Sequence, residues 1–237
     1  MYHWKPDMIR FMQDASARTD YYRLLAQQIA ARVPSEAHVC DMGCGLGHLA
    51  VELAKRFRAV TAIDLSPAAI EAFRKRLEAD VPPNLTILCQ DAFTLPQRTR
   101  FDAAVFCYFG SLEEILRLAK AYCTGPVVVV RRNTHRHRFD LDGTARSIAS
   151  AADVEKTLAQ RGVPFVRQEF EPEFGQPFRS IEDAVLFFRT YRRGAPDAPV
   201  TEAQILPLLL PTGDPVSPYY LAHSKKIVMF SFSAADL

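Results

Sequence analysis

The chain has 237 residues, of which 49% are hydrophobic and 24% are charged, and its formal net charge at pH 7 is +2. This length and composition are those of a globular protein with room for one α/β domain and its insertions. A charge so near zero gives no support for a polyanionic partner, and no apolar run in the sequence reaches the length of a membrane span.

The N-terminus and the cysteines bear on cellular location. The first seven residues, MYHWKPD, lack the apolar stretch of a secretory signal peptide. The five cysteines are an odd number, form no C-x-x-C pair and lie mostly in apolar, strand-like runs. We therefore expect buried, reduced thiols and a cytoplasmic protein.

The N-terminal region is predicted to be helical. Apolar residues recur at helical spacing over residues 7–32, with an interruption near 15–19, which indicates two helices. These helices could cover one face of a sheet, or they could close over a bound ligand.

From residue 36 onward, strand-like and helical segments alternate, which predicts a parallel sheet with helices on both faces. The first strand, about 37–42, leads into three glycines at alternate positions and then into a helix. Glycine suits a sharp turn that a ligand approaches closely, and the start of a helix directs backbone N–H groups at that ligand. This segment therefore predicts a nucleotide-type binding loop.

Two kinds of nucleotide suit such a loop. A dinucleotide site has the spacing G-x-G-x-x-G and holds a pyrophosphate at the helix N-terminus. Here the spacing is G-x-G-x-G, and Asp41, two residues before the first glycine, would repel a pyrophosphate. S-adenosylmethionine has no phosphate and carries an ammonium and a sulfonium, which tolerate a carboxylate. The segment D-M-G-C-G-L-G at residues 41–47 thus resembles motif I, D-x-G-x-G-x-G, of the class I S-adenosylmethionine-dependent methyltransferases.

Two more acids follow the next two predicted strands. Asp64 ends the strand at 59–63, where an acid can accept hydrogen bonds from both ribose hydroxyls; the alternative is a carboxylate that faces water. Asp91 follows the strand at 85–89, and the resemblance implies that it accepts a hydrogen bond from the adenine amino group. The ends of parallel strands meet at one edge, so the three acids should converge there. The expected contacts of the adenine ring are Leu65, Ala92 and Phe93.

The fourth predicted strand, 101–106, ends at Cys107-Tyr108-Phe109-Gly110. In the resembled family this strand end faces the methyl group, and enzymes that methylate amino groups of nucleic acids or proteins often carry an N/D-P-P-Y/F-type motif there. The motif is absent here, which disfavours a flipped base as acceptor. Tyr108 is expected to line the pocket, with simple packing as the alternative.

The fifth predicted strand, 126–131, runs into a basic tract at Arg131–Arg138 that holds four arginines and two histidines. It fits a solvated loop, a site for an anionic substrate group or a local RNA-binding patch. His135 and His137 could share a metal ion, but no third ligand has a suitable spacing, so we predict no metal site.

The remaining chain is predicted to hold a helix at 153–161, a strand at 164–170 and a final strand at 226–232. An aromatic-rich, proline-rich insertion at about 171–224 separates these last two strands and should cap the substrate end of the sheet. Within it we expect a helix at 180–193 and a shorter one from Thr201.

We therefore predict one methyltransferase domain over residues 1–237, of the α/β class: a doubly wound, seven-stranded, mostly parallel Rossmann-like sheet. Residues 1–35 are expected to form a helical lid and 36–131 the S-adenosylmethionine-binding core. Residues 132–237 are expected to form the substrate side, with a helical insertion between the last two strands.

The predicted function is methyl transfer from S-adenosylmethionine to a small molecule, preferably one with an anionic group, with S-adenosylhomocysteine as product. The alternatives are an RNA methyltransferase that uses the basic tract and a non-catalytic S-adenosylmethionine-binding protein. Neither a nucleic acid nor a membrane is expected as partner, and the sequence does not indicate the oligomeric state. A base is not selected among His135, His137, His223 and Tyr108. The predicted cofactor contacts are Asp41, Gly43, Cys44, Gly45, Gly47, Asp64, Leu65, Asp91, Ala92, Phe93 and Tyr108.

Overall fold

The computed structural model describes residues 3–78, 80–133, 151–191 and 199–237. In this part of the chain no helix combines the length and the hydropathy needed to cross a bilayer. The helices are α1 (Pro6–Arg18), α2 (Tyr21–Ala30), α3 (His48–Ala54), α4 (Pro67–Leu77), α5 (Leu112–Tyr122), α6 (Ala151–Gln160), α7 (Ile181–Tyr191) and α8 (Glu202–Ile205). The strands are β1 (His38–Met42), β2 (Ala59–Asp64), β3 (Leu85–Cys89), β4 (Ala103–Cys107), β5 (Pro126–Arg132), β6 (Val166–Phe170), β7 (Gln176–Phe178), β8 (Leu210–Pro211), β9 (Tyr219–Leu221) and β10 (Ile227–Ser233).

Seven strands form one sheet in the order β3-β2-β1-β4-β5-β10-β6. The five strands from β3 to β5 run parallel, whereas β10 is antiparallel to both β5 and β6. Strand order reverses between β1 and β4, and in such open sheets ligands bind in the crevice at that switch point. The predicted fold class is confirmed.

Two apolar layers cover this sheet. Helices α2, α3 and α4 pack on one face, and α5 and α6 pack on the other. Residues Val127–Val130 of β5 are all buried because both of their faces are covered, which explains their unbroken apolar run.

Local signals set the helix starts that flank the sheet edge. The Ser66 hydroxyl accepts a hydrogen bond from the backbone of Ala69, and Pro67 occupies the first turn of α4. The predicted capping box of α5 is present, since Ser111 and Glu114 each bond to the other's backbone N–H. These caps orient the corners that follow β2 and β4.

The insertion between β6 and β10 holds two helices, α7 and α8, as predicted, and in addition a small antiparallel sheet in the order β7-β9-β8. Its strands have two or three residues each, too few for a period-two pattern to be read from the sequence. Helix α1 packs on this cap through Phe11, whose ring meets Phe178 and Phe187 edge-on at centroid distances of 6.3 and 5.0 Å. The N-terminal helices and the cap thus form one cover.

Replacing Phe11 with Ala should loosen that cover. Phe11 is fully buried, so its loss leaves a cavity that lowers the free energy of unfolding by about 3–5 kcal/mol. Urea unfolding followed by circular dichroism measures the change. The matched control is Leu206→Ala, because Leu206 in the cap is 48% exposed and its loss should have little effect. Equal effects of the two substitutions would contradict this account of the cover.

Candidate active site

The glycine loop, residues 43–47, joins β1 to α3 at the switch point of the sheet. Its three glycines have φ angles of +76°, +54° and +71°, in the left-handed region that favours glycine. The backbone N–H groups of Gly43 and Cys44 both donate to the carbonyl of Ile63, at 2.8 and 3.0 Å, which ties the loop to β2. A Cβ at Gly47 would lie 2.1 Å from the Phe73 ring, so both the conformation and the packing require glycine there.

Two further aromatic rings pack against this loop, at its first two glycines. A Cβ at Gly43 would lie 2.5 Å from the Phe109 ring, and one at Gly45 would lie 3.3 Å from the Trp4 ring. Trp4 precedes α1, so the N-terminal segment reaches the loop directly.

Asp41, at the end of β1, is 1% exposed, and neither of its carboxylate oxygens has a hydrogen-bond partner among the described residues. Burial, with a smaller contribution from the charge of Asp64, raises the pKa of Asp41 to about 7. A buried carboxylate without partners is costly unless it is neutral or meets a cation. Asp41 is therefore ready to receive a cationic group.

Asp64, the last residue of β2, accepts hydrogen bonds from the glycine loop and from the turn before α4. One of its oxygens accepts from the Gly45 N–H and the other from the Ser66 N–H, each at 2.8 Å. A carboxylate oxygen has two lone pairs, so each can accept a further hydrogen bond. Leu65 beside it is 44% exposed, so its side chain is accessible to a ligand.

Asp91 lies beyond the end of β3 and begins a short 3₁₀ turn. Its carboxylate accepts from the Phe93 N–H at 2.9 Å, Ala92 is buried, and the guanidinium of Arg117 lies 4.2 Å from the centroid of the Phe93 ring. In the parallel register Met42 pairs with Ile63, and Asp64 pairs with Cys89. The three predicted acids therefore lie at the same edge of the sheet.

Tyr108 follows β4, across the switch point from Asp41. Its φ angle is +58°, which is unusual for a bulky residue and is the kind of strain that is found at functional sites. Its N–H donates to the carbonyl of Val130 at 3.1 Å, and its hydroxyl lies 2.7 Å from the hydroxyl of the fully buried Tyr21. Tyr21 belongs to the helical pattern of α2, and no sequence signal assigned it to this site.

The first two arginines of the predicted basic tract have different environments. The guanidinium of Arg131 is buried and donates to the carbonyls of Phe109 and Gly110 at 2.5 and 2.8 Å, so it supports the corner after β4 instead of a solvated loop. Arg132 is exposed and lies over the Tyr108 ring, with its guanidinium carbon 5.5 Å from the centroid. Residues 134–138, with both candidate metal-binding histidines, lie outside the described residues.

Lys225, just before β10, was missed by the sequence analysis. Its ammonium lies 3.7 Å from the centroid of the Phe174 ring, 4.5 Å from that of Tyr21 and 5.4 Å from that of Tyr108. These are cation–π distances. His223, another candidate base, lies two residues earlier, and its carbonyl accepts from the Phe174 N–H at 2.7 Å.

An open cleft of about 1180 Å³ lies elsewhere, beneath α1 and between it and helices α2, α3 and α4. None of the predicted cofactor contacts lines it. His48 lies in its wall, stacked on Tyr22 at a centroid distance of 5.4 Å, and burial lowers the pKa of His48 to about 3, so the ring is neutral. No group of three or more His, Cys, Asp or Glu residues that could hold a metal ion occurs in the described ranges.

Comparison with known proteins gives a family match. Residues 39–123 match the family described as "Methyltransferase domain". Two curated proteins named "Probable ribosomal RNA small subunit methyltransferase A" are similar in part. That of Pyrobaculum aerophilum is 41% identical over 29% of this chain and 28% of its own length, and that of Pyrobaculum islandicum is 27% identical over 51% and 49%. The chain thus spans less than half the length of these relatives.

A solved structure has a similar fold. The magnesium protoporphyrin IX methyltransferase of Synechocystis, crystallised with bound S-adenosylmethionine, superposes with a TM-score of 0.51. The match covers 97% of this chain and 86% of that one at 14% identity. At this identity the likeness extends to the fold alone.

Replacing Asp41 with Asn should change how stability depends on pH. The folded chain holds the Asp41 proton more tightly than the unfolded chain, because the pKa rises from 3.8 to about 7 on folding. The wild type therefore loses stability as pH rises through this range, whereas Asn cannot ionise. The advantage of Asp41→Asn should grow to a few kcal/mol above neutral pH, measured by urea unfolding. Asp102→Asn, at a side chain 55% exposed, is the control, and a pH-independent difference for Asp41→Asn would contradict the assignment.

Proposed function

We propose that this chain, a member of the class I S-adenosylmethionine-dependent methyltransferases, transfers a methyl group to a small molecule that carries an anionic group. The family match confirms the family, the enzyme class and the cofactor predicted from the sequence. The acceptor and the residue roles that follow are proposals. The observation that carries the cofactor-binding roles is the buried carboxylate of Asp41 beside the glycine loop, which has no hydrogen-bond partner among the described residues.

The residues at the sheet edge fit this cofactor. The Asp41 carboxylate would bind the ammonium of the methionine part, an ion pair that offsets the cost of its burial. Asp64 has lone pairs left for the ribose hydroxyls, and Asp91 for the adenine amino group. The expected ring contacts include the exposed Leu65, which a bound adenine would cover. Asp41 would also repel the pyrophosphate of NAD.

When bound, S-adenosylmethionine supplies a methyl group activated by a sulfonium. The protein's part is to align the acceptor with that carbon and to exclude water, and alignment alone can lower the barrier by several kcal/mol. We propose that residues 36–131 hold the cofactor, and that α1, α2 and the cap at about 171–224 enclose the acceptor. The cap's aromatic cluster is buried and packs with Phe11 of α1.

The preference for an anionic small molecule has two supports. Arg132 and Lys225 place positive charge beside Tyr108, at the strand end that faces the methyl group in this family. The net charge of +2 is small for a protein that binds an extended polyanion. The alternative acceptor is RNA, which the names of the two Pyrobaculum relatives favour.

Cofactor binding can be tested by calorimetric titration with S-adenosylhomocysteine and with NAD. We expect the first to bind and the second not to. Asp64→Asn should weaken S-adenosylhomocysteine binding by about tenfold or more, because each charge-assisted hydrogen bond contributes roughly 1.5–3 kcal/mol. Asp102→Asn, at the opposite edge of the sheet, should leave the affinity unchanged. Tight NAD binding without S-adenosylhomocysteine binding would overturn the proposed function.

The choice between a small molecule and RNA can be tested with bulk RNA. If the acceptor is a small molecule, RNA binding should be weak, and replacing Arg132, Arg136 and Arg138 together with Ala should leave S-adenosylhomocysteine affinity intact. Filter binding over a series of salt concentrations measures the RNA affinity. Strong binding that falls steeply with salt and disappears in the triple variant would favour the RNA alternative.

A further inference from the structure

The hydroxyls of Tyr21 and Tyr108 form a hydrogen bond, and burial indicates which of the two donates. Tyr21 is fully buried, and burial raises the pKa of its hydroxyl well above the usual value, so it keeps its proton. The Tyr108 oxygen is 2.7 Å away. A buried donor without an acceptor is costly, so Tyr21 donates to Tyr108. The half-buried Tyr108 then directs its own proton away from Tyr21.

The charges around this pair are mostly positive. Arg132 and Lys225 lie 5.5 and 5.4 Å from the centroid of the Tyr108 ring, and Lys225 also lies over Tyr21. Three cations and one carboxylate act on the neighbouring thiol of Cys107: Lys225, Arg131, Arg132 and Asp41. Further titratable groups at this corner include the hydroxyl of Tyr22, from α2, and the carboxylate of Glu114, which interacts electrostatically with Arg131. Such a field favours an anion beside Tyr108 and disfavours a protonated amine.

We propose that Tyr21 and Tyr108 form a directed hydrogen-bond chain that binds an ionised oxygen of the methyl acceptor, and that the acceptor is an acidic hydroxyl compound such as a phenol or an enol. This inference rests on the proposed function. Tyr108 contacts the acceptor oxygen and is the catalytic residue, whereas Tyr21 is a positioning residue that acts through it. Hydrogen bonds in a chain strengthen one another, and a donor to an anion is worth more than a donor to a neutral group.

The chemistry balances without a further co-reactant. The acceptor's O–H bond breaks first, and its proton passes to water, helped by the nearby cations. In the transfer step an electron pair of the acceptor oxygen forms the new O–C bond. The C–S bond of the donor breaks, and its electron pair returns to sulfur. Arg131 holds the carbonyls of Phe109 and Gly110, which keeps the corner that carries Tyr108 in place during this step.

The test uses 4-nitrophenol, which is yellow only as the phenolate, and the full chain saturated with S-adenosylhomocysteine. At mildly acidic pH, where most of the free probe is protonated, the bound probe should be yellow. Tyr108→Phe should weaken phenolate binding by about tenfold or more, because it removes a hydrogen bond to a charged group. Tyr21→Phe should weaken it less.

Matched controls separate this role from a structural one. Tyr122→Phe also removes a tyrosine hydroxyl with a buried hydrogen bond, to the carbonyl of Leu95 at 3.0 Å, and it should leave probe binding unchanged. 4-Nitroaniline has the same shape without an acidic hydroxyl and should not bind. If Tyr108→Phe does not fold, Lys225→Gln takes its place, with the exposed neighbour Lys226→Gln as control, and only the former should reduce the yellow fraction.

The outcomes are distinguishable. Failure to bind S-adenosylhomocysteine would overturn the proposed function. With S-adenosylhomocysteine bound, three results would each overturn the present inference alone. They are no binding of 4-nitrophenol as phenolate, equal binding of 4-nitroaniline, and unchanged phenolate binding by a folded Tyr108→Phe variant.

Discussion

The buried carboxylate of Asp41 is the constraint on which the rest of the site depends. Strand β1 carries it into the sheet edge, and among the described residues nothing donates a hydrogen bond to it. A buried carboxyl group of this kind is tolerated only if it takes up a proton or if a ligand supplies the missing positive charge. In the glycine loop that follows, the rings of Phe109, Trp4 and Phe73 lie close to where Cβ atoms of the three loop positions would be, so the close packing of the loop requires glycine. The fold thus keeps an unfavourable group at the point where a cationic ligand is proposed to bind.

Acidic and basic side chains at this edge of the sheet lie at different strands. The acids Asp41 and Asp64 lie at the ends of β1 and β2, and Asp91 lies just beyond β3, on one side of the switch point. The cations Arg131, Arg132 and Lys225 lie at β5 and just before β10, on the other side, with Tyr108 between the two groups. A cationic methyl donor and an anionic acceptor would therefore meet at the boundary, each beside opposite charge. This arrangement is the physical basis of both proposals.

The cover over the sheet edge comes from two distant parts of the chain. Helix α1 packs on the cap through Phe11, and Tyr21 of α2 meets Phe174 of the cap at a ring-centroid distance of 4.7 Å. The ammonium of Lys225 lies over both of these last two rings. These contacts connect α2 and the cap to the corner that carries Tyr108. The large cleft beneath α1 lies outside this arrangement, because the predicted cofactor contacts do not line it.

The sequence by itself determined the alternation of strands and helices, the glycine loop, the caps at Ser66 and Ser111, and the convergence of three acids. Each of these depends on local patterns and on the rule that parallel strands end at one edge. Only the tertiary structure showed that Arg131 turns inward, that Asp41 has no hydrogen-bond partner in the part of the chain that is described, and that Tyr21 and Lys225 lie beside Tyr108. These contacts connect residues that are far apart in the chain, 87 positions in the case of Tyr21 and Tyr108. Their side chains look like ordinary core or surface residues in the sequence, because a periodic pattern records which face of an element is buried but not what that face meets.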